Sequence, residues 1–313
     1  MTGKSAIECD VTVIGAGPAG LSFARSLANT GLNIILVEKL PAKALAVPPM
    51  DGRDIALTHL SIEILKELDV WSLLPPKSIS AIKEARVLDG QLPYFLQFDH
   101  NDTDKTALGY VVSNHLIRKA LYKSLCAFPN IQLITSVSAT SVTTDSNRAS
   151  LRLSNGKTIT ASLMVAADSR FSETRRKMGI SASMHDFGRT VIVSRMKHEK
   201  PHDGIAYECF HYGRTLAVLP LEGNKSSIVV TLPTDMYEAL MATRKAAFSE
   251  DIQKRFNNRL GKMELTSGRF PYPLVAVHAN RFVTTRFALI GDAAVGMHPV
   301  TAHGFNLGLR GQN

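Results

Sequence analysis

Three glycines between two apolar segments constrain the fold of this chain more than any other feature. Residues 10–14 form a β-branched apolar run, followed directly by Gly15, Gly17 and Gly20 in a G-x-G-x-x-G spacing and then by a helical pattern that Gly31 closes. A second apolar run, residues 33–37, ends at Glu38. This order predicts a strand, a tight turn, a helix and a parallel strand within about 30 residues.

Each part of this unit has a physical reason to hold a dinucleotide. Gly15 allows the tight turn, Gly17 lets the backbone approach a pyrophosphate, and Gly20 lets the helix pack closely on the sheet. The helix N-terminus offers free N–H groups to phosphates, and Glu38 is placed to accept hydrogen bonds from ribose hydroxyls. The alternative is a glycine turn with only a structural role. The candidate nucleotide-binding residues are Gly15, Ala16, Gly17, Pro18, Ala19, Glu38 and Lys39.

The rest of the chain alternates between helical and strand patterns. Residues 40–51 predict a loop, Arg53 through Leu68 a helix, and 82–98 a β-hairpin that turns at Asp89-Gly90. Ser113 is a candidate N-cap for the next helix. The remaining predicted strands are 131–135, 138–144, 149–153, 157–161, 163–167, the alternating region 185–232 and 287–290, with helix over 235–260.

Three buried strands end in glycine or aspartate. The run 10–14 ends at Gly15, 163–167 ends at Asp168, and 287–290 ends at Gly291-Asp292. Because dinucleotide folds bind their ligand at the carboxyl ends of parallel strands, these three ends are expected to meet at one crevice.

These segments together resemble the class A FAD-dependent aromatic hydroxylases, and in particular the ubiquinone-biosynthesis hydroxylase family. The resemblance spans nearly the whole chain and includes Gly52-Arg53, residues 110–116, the Asp168 segment, residues 270–274 and the run from Gly291 to Leu309. It implies an α/β fold in which a Rossmann-like FAD-binding domain carries an inserted mixed β-sheet substrate domain. The expected division is 1–75, 105–180 and 275–313 for the FAD-binding domain, and 76–104 and 181–274 for the substrate domain.

The resemblance also implies roles for individual residues. Arg53 is expected near the flavin or pyrophosphate, Asp168 at the entrance used by NAD(P)H, and Asp292 on the ribityl chain, beside Gly291. A helix beginning near Asn306 would direct N–H groups at the flavin ring. His298 and His303 are the titratable groups nominated for catalysis, although a structural role is the alternative for each. The remaining expected cofactor contacts are His115, Pro299, Gly304 and Phe305.

The chain departs from the family pattern at several of these positions. Ser169 stands where glycine is usual, His115 where arginine is usual, Val295 where histidine is usual, and Ala302-His303 within a usual Gly-Gln-Gly run. Family members usually continue beyond the position of Asn313, so the expectation is either a truncated chain or the absence of the closing C-terminal helices.

The resemblance implies that NAD(P)H reduces the flavin and that a C4a-hydroperoxide transfers oxygen to a polyprenylated phenol or quinone precursor in ubiquinone biosynthesis. The alternatives are hydroxylation of a soluble aromatic acid and a non-catalytic FAD-binding scaffold. The net charge of +9 lies almost entirely in residues 157–313, but without a basic stripe interleaved with aromatic residues nucleic acid is not expected as a partner. The expected partners are a lipophilic aromatic substrate, a membrane surface and ubiquinone-biosynthesis proteins.

No secretory signal opens the sequence, and the three cysteines, Cys9, Cys126 and Cys209, lie far apart and outside any metal-ligand spacing. The sequence therefore predicts a cytoplasmic protein, peripheral at the inner face of the membrane, with buried thiols and no metal.

Overall fold

The computed structural model describes residues 6–90, 92, 94–211, 213–297 and 303–311, with the side chain of His303 left out of the description. The helices in these ranges are α1 (Pro18–Ser26), α2 (Ala42–Ala46), α3 (His59–Glu67), α4 (Asn114–Leu125), α5 (Glu173–Lys177), α6 (Tyr237–Ala242), α7 (Lys245–Arg255) and α8 (His303–Arg310). Short 3-10 helices lie at Trp71–Leu73, Pro76–Ser78, His100–Asp102, Thr234–Met236 and Gly291–Ala293.

The strands in the first half of the chain are β1 (Ile7–Ile14), β2 (Ile34–Val37), β3 (Asp54–Leu57), β4 (Ser80–Ile82), β5 (Glu84–Asp89), β6 (Phe95–Asp99), β7 (Gly109–Ser113), β8 (Ile131–Ile134), β9 (Ala139–Thr144) and β10 (Ala149–Leu153). Those in the second half are β11 (Thr158–Ala166), β12 (Ala182–His198), β13 (Ile205–His211), β14 (Arg214–Leu221), β15 (Lys225–Pro233), β16 (Met263–Leu265), β17 (Phe270–Ala279), β18 (Val283–Thr284), β19 (Phe287–Leu289) and β20 (Val295–Gly296).

The first sheet is the nucleotide-binding sheet predicted from the glycine motif. Its strands run in the order β18-β19-β11-β1-β2-β8, and β11, β1, β2, β8 and β19 are mutually parallel where they pair. On one face, α1 and α4 bury Leu21, Ala24 and Leu121 against Val13 and Leu36. Because β19, β11 and β1 are neighbours, their carboxyl ends meet at one edge, which confirms the predicted convergence of the three strand ends.

The second sheet is larger and mostly antiparallel, with the order β20-β17-β12-β15-β14-β13-β5-β6. One of its faces buries Ile192, Val218 and Val230 beneath α6 and α7, whose Phe248 and Ile252 complete that core. Its opposite face carries Arg195 and Tyr272, which bond to Asp54 and to the Asp51 carbonyl. β20, at 295–296, pairs with β17 and so joins this sheet, although the predicted division assigned it to the FAD-binding domain.

A small third sheet, β3-β7-β4, corrects the predicted helix from Arg53 to Leu68. Residues 54–57 form a strand that pairs with β7, with Asp54 opposite Ser113, and only His59–Glu67 is helical. The apolar spacing of Ile55, Leu57 and Leu60 fits a helix, but the edge offered by β7 satisfies the backbone of 54–57 as a strand.

Other sequence predictions were wrong in detail. Of the three cysteines predicted to be buried, Cys209 is buried, Cys9 is partly exposed and Cys126 is exposed. Residues 42–46 form a short helix inside the predicted loop, and 158–166 is one strand instead of two, because β1 and β10 pair along its two sides. The hairpin over 82–98 is confirmed as β5 and β6, but five residues separate these strands, not a two-residue turn. No helix among the described residues has the length and apolar character that crossing a bilayer requires.

Candidate active site

A deep crevice opens where the carboxyl ends of β1, β11 and β19 meet. Its volume is about 910 Å³, within the range of small-molecule and cofactor sites. Predicted residues that line it are Gly15, Ala16, Gly17, Pro18, Ala19, Glu38, Lys39, Arg53, Asp168, Gly291, Asp292, Gly304 and Phe305. The tertiary structure thus brings together side chains that are more than 270 positions apart in the sequence.

The glycine turn has the shape that a pyrophosphate requires. Gly15 has a φ of +105°, and a Cβ there would lie 2.6 Å from the carbonyl oxygen of Ala167. A Cβ on Gly20 would lie 1.9 Å from the Gly15 carbonyl oxygen, so the helix could not pack this closely with any larger residue. At Gly17, in contrast, a Cβ would meet nothing within 4 Å, and this residue lines the crevice. The space beside Gly17 is open for a ligand.

Glu38 holds the turn in position from the end of β2. One carboxylate oxygen accepts a hydrogen bond from the Ala16 amide at 2.8 Å, and the other accepts one from the Leu40 amide at 2.9 Å. The residue is only 8% exposed, but it still lines the crevice. Since a carboxylate oxygen can accept more than one hydrogen bond, Glu38 fixes the backbone and keeps acceptor capacity for a ribose hydroxyl.

The segment after β11 is anchored to the segment after β19 by Arg175, which the sequence analysis did not single out. Its guanidinium donates to the carbonyl oxygen of Ala293 at 2.8 Å and to that of Arg170 at 3.2 Å. Asp168 accepts from the Thr174 amide at 3.3 Å through one oxygen, while its other, buried oxygen has no hydrogen-bond partner within the described chain. An unpaired buried carboxylate oxygen at a crevice wall is a position where a ligand donor would be satisfied.

The wall of the crevice is rich in cations. Arg170 reaches Asp292 at 3.6 Å across it, and Arg118 lies one helical turn after Asn114 on α4, with both on the crevice side. Arg118 was not predicted as a site residue, although its i+4 spacing from Asn114 is visible in the sequence. The basic lining residues are Lys39, Arg53, Arg118, Arg170, Arg176 and Lys177, against the acidic Glu38, Asp168, Glu173 and Asp292. This excess of positive charge suits a diphosphate.

Two predicted contact residues do not reach the crevice lining. His115 is turned toward Arg195 and the domain junction, where burial, followed by the nearby Arg195, lowers its pKa; its buried Nδ1 has no hydrogen-bond partner in the described part of the protein. Asn306 is 2% exposed and sits inside α8, which begins at His303 and not at Asn306. Its amide accepts from the Thr58 backbone and donates to the Ala56 carbonyl, so it fastens α8 to β3.

His298 and Pro299 lie outside the described residues, as does the side chain of His303.

A polar network joins the crevice to the large sheet. Asp51 accepts from the Arg53 guanidinium and, at 2.7 Å, from the Asn114 amide, while its backbone carbonyl accepts from the Tyr272 hydroxyl at 2.7 Å. Burial alone would raise the pKa of Asp51, but the Arg53 and Asn114 contacts lower it, so the carboxylate stays charged. Arg53 also lies over the Tyr272 ring, 5.4 Å from its centre. Tyr272 therefore marks where the large sheet meets the crevice.

Near this junction, Arg195 of β12 bonds to both carboxylate oxygens of Asp54, at 2.5 and 3.2 Å, and to the Ser113 hydroxyl. The Asp54 side chain is fully buried. Ser113 occupies the predicted N-cap position of α4 but makes no capping bond, because its hydroxyl donates to Asp54 instead. The cluster ties the large sheet to the small one.

Glu208 of β13 lies on the face of the large sheet opposite to the core beneath α6 and α7, because its neighbours Tyr207 and Cys209 belong to that core. It lies opposite Ala217 and Val87 in the register. Burial raises the pKa of its carboxyl to about 7, so at neutral pH a large fraction of Glu208 is protonated.

We expect Glu208 to make folding stability depend on pH. The folded protein keeps this proton up to about pH 7, whereas the unfolded chain releases it near the ordinary glutamate pKa of 4.5, so the free energy of unfolding falls as the pH rises between these values. Glu208→Gln should be more stable than the parent protein by about 1–2 kcal/mol at pH 8 and equal to it at pH 4, measured by urea denaturation. The exposed Asp186→Asn variant serves as control, and parallel pH profiles for Glu208→Gln and the parent would contradict this expectation.

The comparisons with known proteins agree with this geometry. The family model described as FAD binding domain matches residues 8–311. The ubiquinone hydroxylase UbiM of Neisseria meningitidis is 48% identical over 307 residues, which are 97% of this chain and 67% of that protein. The ubiquinone hydroxylase UbiL of Rhodospirillum rubrum is 36% identical, over 99% of this chain and 72% of its own length. The chain belongs to this family of FAD-binding hydroxylases.

The solved structures that resemble this flavoprotein have the same fold. PqsL, a probable FAD-dependent monooxygenase of Pseudomonas aeruginosa, superposes with a TM-score of 0.83 at 17% identity, covering 97% of this chain and 84% of its own. p-Nitrophenol 4-monooxygenase of Pseudomonas putida superposes with a TM-score of 0.78 at 17% identity, covering 98% of this chain and 78% of its own. The predicted fold class is confirmed, and FAD is the cofactor of this family.

Proposed function

We propose that this chain is an FAD- and NAD(P)H-dependent monooxygenase that hydroxylates the aromatic ring of a polyprenylated phenol or quinone precursor in ubiquinone biosynthesis. The observation that carries the proposal is the crevice itself, which has an open glycine turn, an excess of cations and a direct connection to an apolar sheet face through Tyr272. The names of the relatives support the choice of substrate: UbiM and UbiL are ubiquinone hydroxylases, and an Escherichia coli relative, 28% identical, is 3-demethoxyubiquinol 3-hydroxylase.

The residues of the crevice fit FAD. The amides at the start of α1, beside Gly17, would bind the pyrophosphate, and Glu38 would hold the adenosine ribose. Arg53, Arg118 and Arg170 would balance the phosphate charge. The chemistry supplied by bound FAD is hydride acceptance from NAD(P)H followed by transfer of one oxygen atom from O₂ to the ring.

The apolar face of the large sheet would hold the aromatic ring of the substrate in this reaction. Val191, Val193 and Val229 form with Phe270 and Tyr272 an apolar cluster on the side of the sheet where Tyr272 contacts the crevice. An aromatic ring held there would lie against apolar side chains. These side chains exclude water, which would otherwise compete in the oxygen-transfer step. This apolar cluster favours a neutral, lipophilic ring over a soluble aromatic acid.

Asp292 offers a direct test of the cofactor assignment. Its carboxylate lines the crevice beside α8, where a Cβ on Gly304 would lie 3.8 Å from it. We expect Asp292→Ala to weaken FAD binding by about 1.5–3 kcal/mol, because charge-assisted hydrogen bonds to ribityl hydroxyls are lost. Titration of the apoprotein with FAD, followed by flavin fluorescence, measures this. Asp186→Ala, at an exposed site on the large sheet, should bind FAD like the parent, and equal dissociation constants for both variants would refute the role of Asp292.

The function is tested with the purified 313-residue chain and added FAD. We expect NAD(P)H oxidation to accelerate with a short-chain demethoxyquinol, and mass spectrometry to find a product heavier by one oxygen atom. Acceleration by a soluble hydroxybenzoate but not by the quinol would establish the aromatic-acid alternative. Flavin that binds but is never reduced would establish the scaffold alternative.

A further inference from the structure

The segment from Gly90 to Phe98 carries no charged residue, although Asp89 and Asp99 flank it. The described part of this segment is unusually exposed for its composition. Large apolar side chains that stand out singly from a surface are normal, but a contiguous group marks a binding surface. The exposed fractions are 54% for Leu92, 82% for Tyr94, 42% for Phe95, 59% for Leu96 and 51% for Phe98.

These side chains cover both faces of the hairpin. β6 ends the strand order of the large sheet, with Leu88 opposite Phe95, Val87 opposite Leu96 and Ala85 opposite Phe98. Since successive side chains of a strand alternate, Phe95 points to one face while Leu96 and Phe98 point to the other. A folded partner packed on one face would leave the other face in water, whereas a lipid interface covers both faces of an inserted hairpin.

The face that carries Leu96 continues across the sheet to β17, whose Tyr272 lies beside the crevice residue Arg53. Six steps between neighbouring strands separate β6 from β17, a distance of about 29 Å at roughly 4.8 Å per step. The far end of the row is Phe270, two residues from Tyr272, whose hydroxyl contacts Asp51 at the crevice. The row in register is Leu96, Val87, Glu208, Ala217, Val229, Val193 and Phe270.

We propose that the β5–β6 hairpin docks the protein on a lipid bilayer, with Tyr94 and Leu96 inserted at the boundary between headgroups and acyl chains. Tyrosine suits this boundary because its ring is apolar and its hydroxyl is polar. The docked hairpin places one end of the apolar row in lipid and the other end at the crevice. This inference rests on the proposed function, because only a lipophilic substrate gains from such a path.

A second copy of the chain fits the hairpin less well. β6 has five residues, and edge-to-edge pairing of two such strands would bury far less than the roughly 1,200 Å² of a stable protein interface. The pairing would also leave side chains on both faces exposed.

Charges around the hairpin tip are close to balanced. The Gly90 amide donates to the Phe210 carbonyl, which places the end of β13, and with it the start of β14, beside the tip. There Arg214 pairs with Asp251 at 2.6 Å, and Arg86, which lies over the Phe95 ring, pairs with Glu84. Binding should therefore depend on apolar insertion and change little with ionic strength.

The test is co-sedimentation of the FAD-loaded chain with vesicles of phosphatidylethanolamine and phosphatidylglycerol. We expect the parent protein to bind, and Tyr94→Ser combined with Leu96→Ser to lower the partition coefficient by at least about tenfold. The matched control is Val47→Ser combined with Val283→Ser, which removes two apolar side chains elsewhere that are each 67% exposed and should bind like the parent. Absence of binding by the parent, or equal loss in both double variants, would overturn the proposal.

Two further measurements distinguish a failure of the lipid-docking proposal from a failure of the proposed function. Hydroxylation of a short-chain, water-soluble quinol analogue should be the same in all three proteins, because the hairpin lies about 29 Å from the crevice end of the sheet. If none of them hydroxylates it, the proposed function fails while the vesicle result stands. If the parent is a dimer in solution and the hairpin variant a monomer, a second copy covers the hairpin and the lipid assignment is wrong.

Discussion

Gly17→Val should abolish retention of FAD while leaving the fold intact, and we expect the dissociation constant to rise at least about 100-fold. The space beside Gly17 is empty of protein atoms within 4 Å, and its φ of −74° is acceptable to any residue, so valine adds no clash and no backbone strain. The branched side chain would occupy the position where the pyrophosphate approaches the backbone. Flavin absorbance of the purified protein and its thermal midpoint after flavin removal measure the two effects.

Two other variants separate a loss of FAD binding at Gly17 from a general effect of substitution. Ser26→Val adds a similar side chain at the exposed far end of α1 and should retain FAD. Gly15→Ala should lose both FAD and stability, because its φ of +105° and the Ala167 carbonyl 2.6 Å from the new Cβ oppose any side chain. Normal flavin content in folded Gly17→Val would mean that the turn is only structural.

Arg195→Met should destabilise the protein by about 3–5 kcal/mol, because it leaves the carboxylate of Asp54 fully buried without its cation. The Arg195 guanidinium bonds to both oxygens of Asp54 and to the Ser113 hydroxyl, and the Asp54 side chain is fully buried. Urea denaturation gives the change in the free energy of unfolding.

A matched control lies two residues further along β12. Lys197 pairs with Glu264 at 2.9 Å, but both side chains are more than half exposed, so Lys197→Met should change stability by no more than about 1 kcal/mol. Adding Asp54→Asn to Arg195→Met should recover part of the loss, since the neutral amide costs less to bury than an unpaired charge. A loss of less than 1 kcal/mol in Arg195→Met would show that Asp54 is not held by this pair.

Much of the cofactor site could be read from the sequence because its signals are local. The apolar run 10–14, the glycine spacing and Glu38 lie within 29 residues, and each acts through its own backbone geometry or that of an adjacent element. The apolar runs before Asp168 and Gly291 predicted buried strands, and the rule that ligands bind at strand carboxyl ends placed them together. The structure confirmed this arrangement at β1, β11 and β19.

What the sequence could not determine depends on pairings between distant residues. Residues 54–57 carry a helical spacing, and only the edge of β7 makes them a strand. Arg195 and Asp54 are 141 positions apart, so no local pattern predicts that they form an ion pair. Nor does any local pattern predict that the Ser113 hydroxyl bonds to this pair instead of capping α4. The Asp89-Gly90 turn signal predicted a hairpin over 82–98, but not that side chains on both faces of β6 stay exposed. That outcome depends on which elements pack against β6, which ends the strand order with β5 as its paired neighbour, and strand order is not fixed by local sequence.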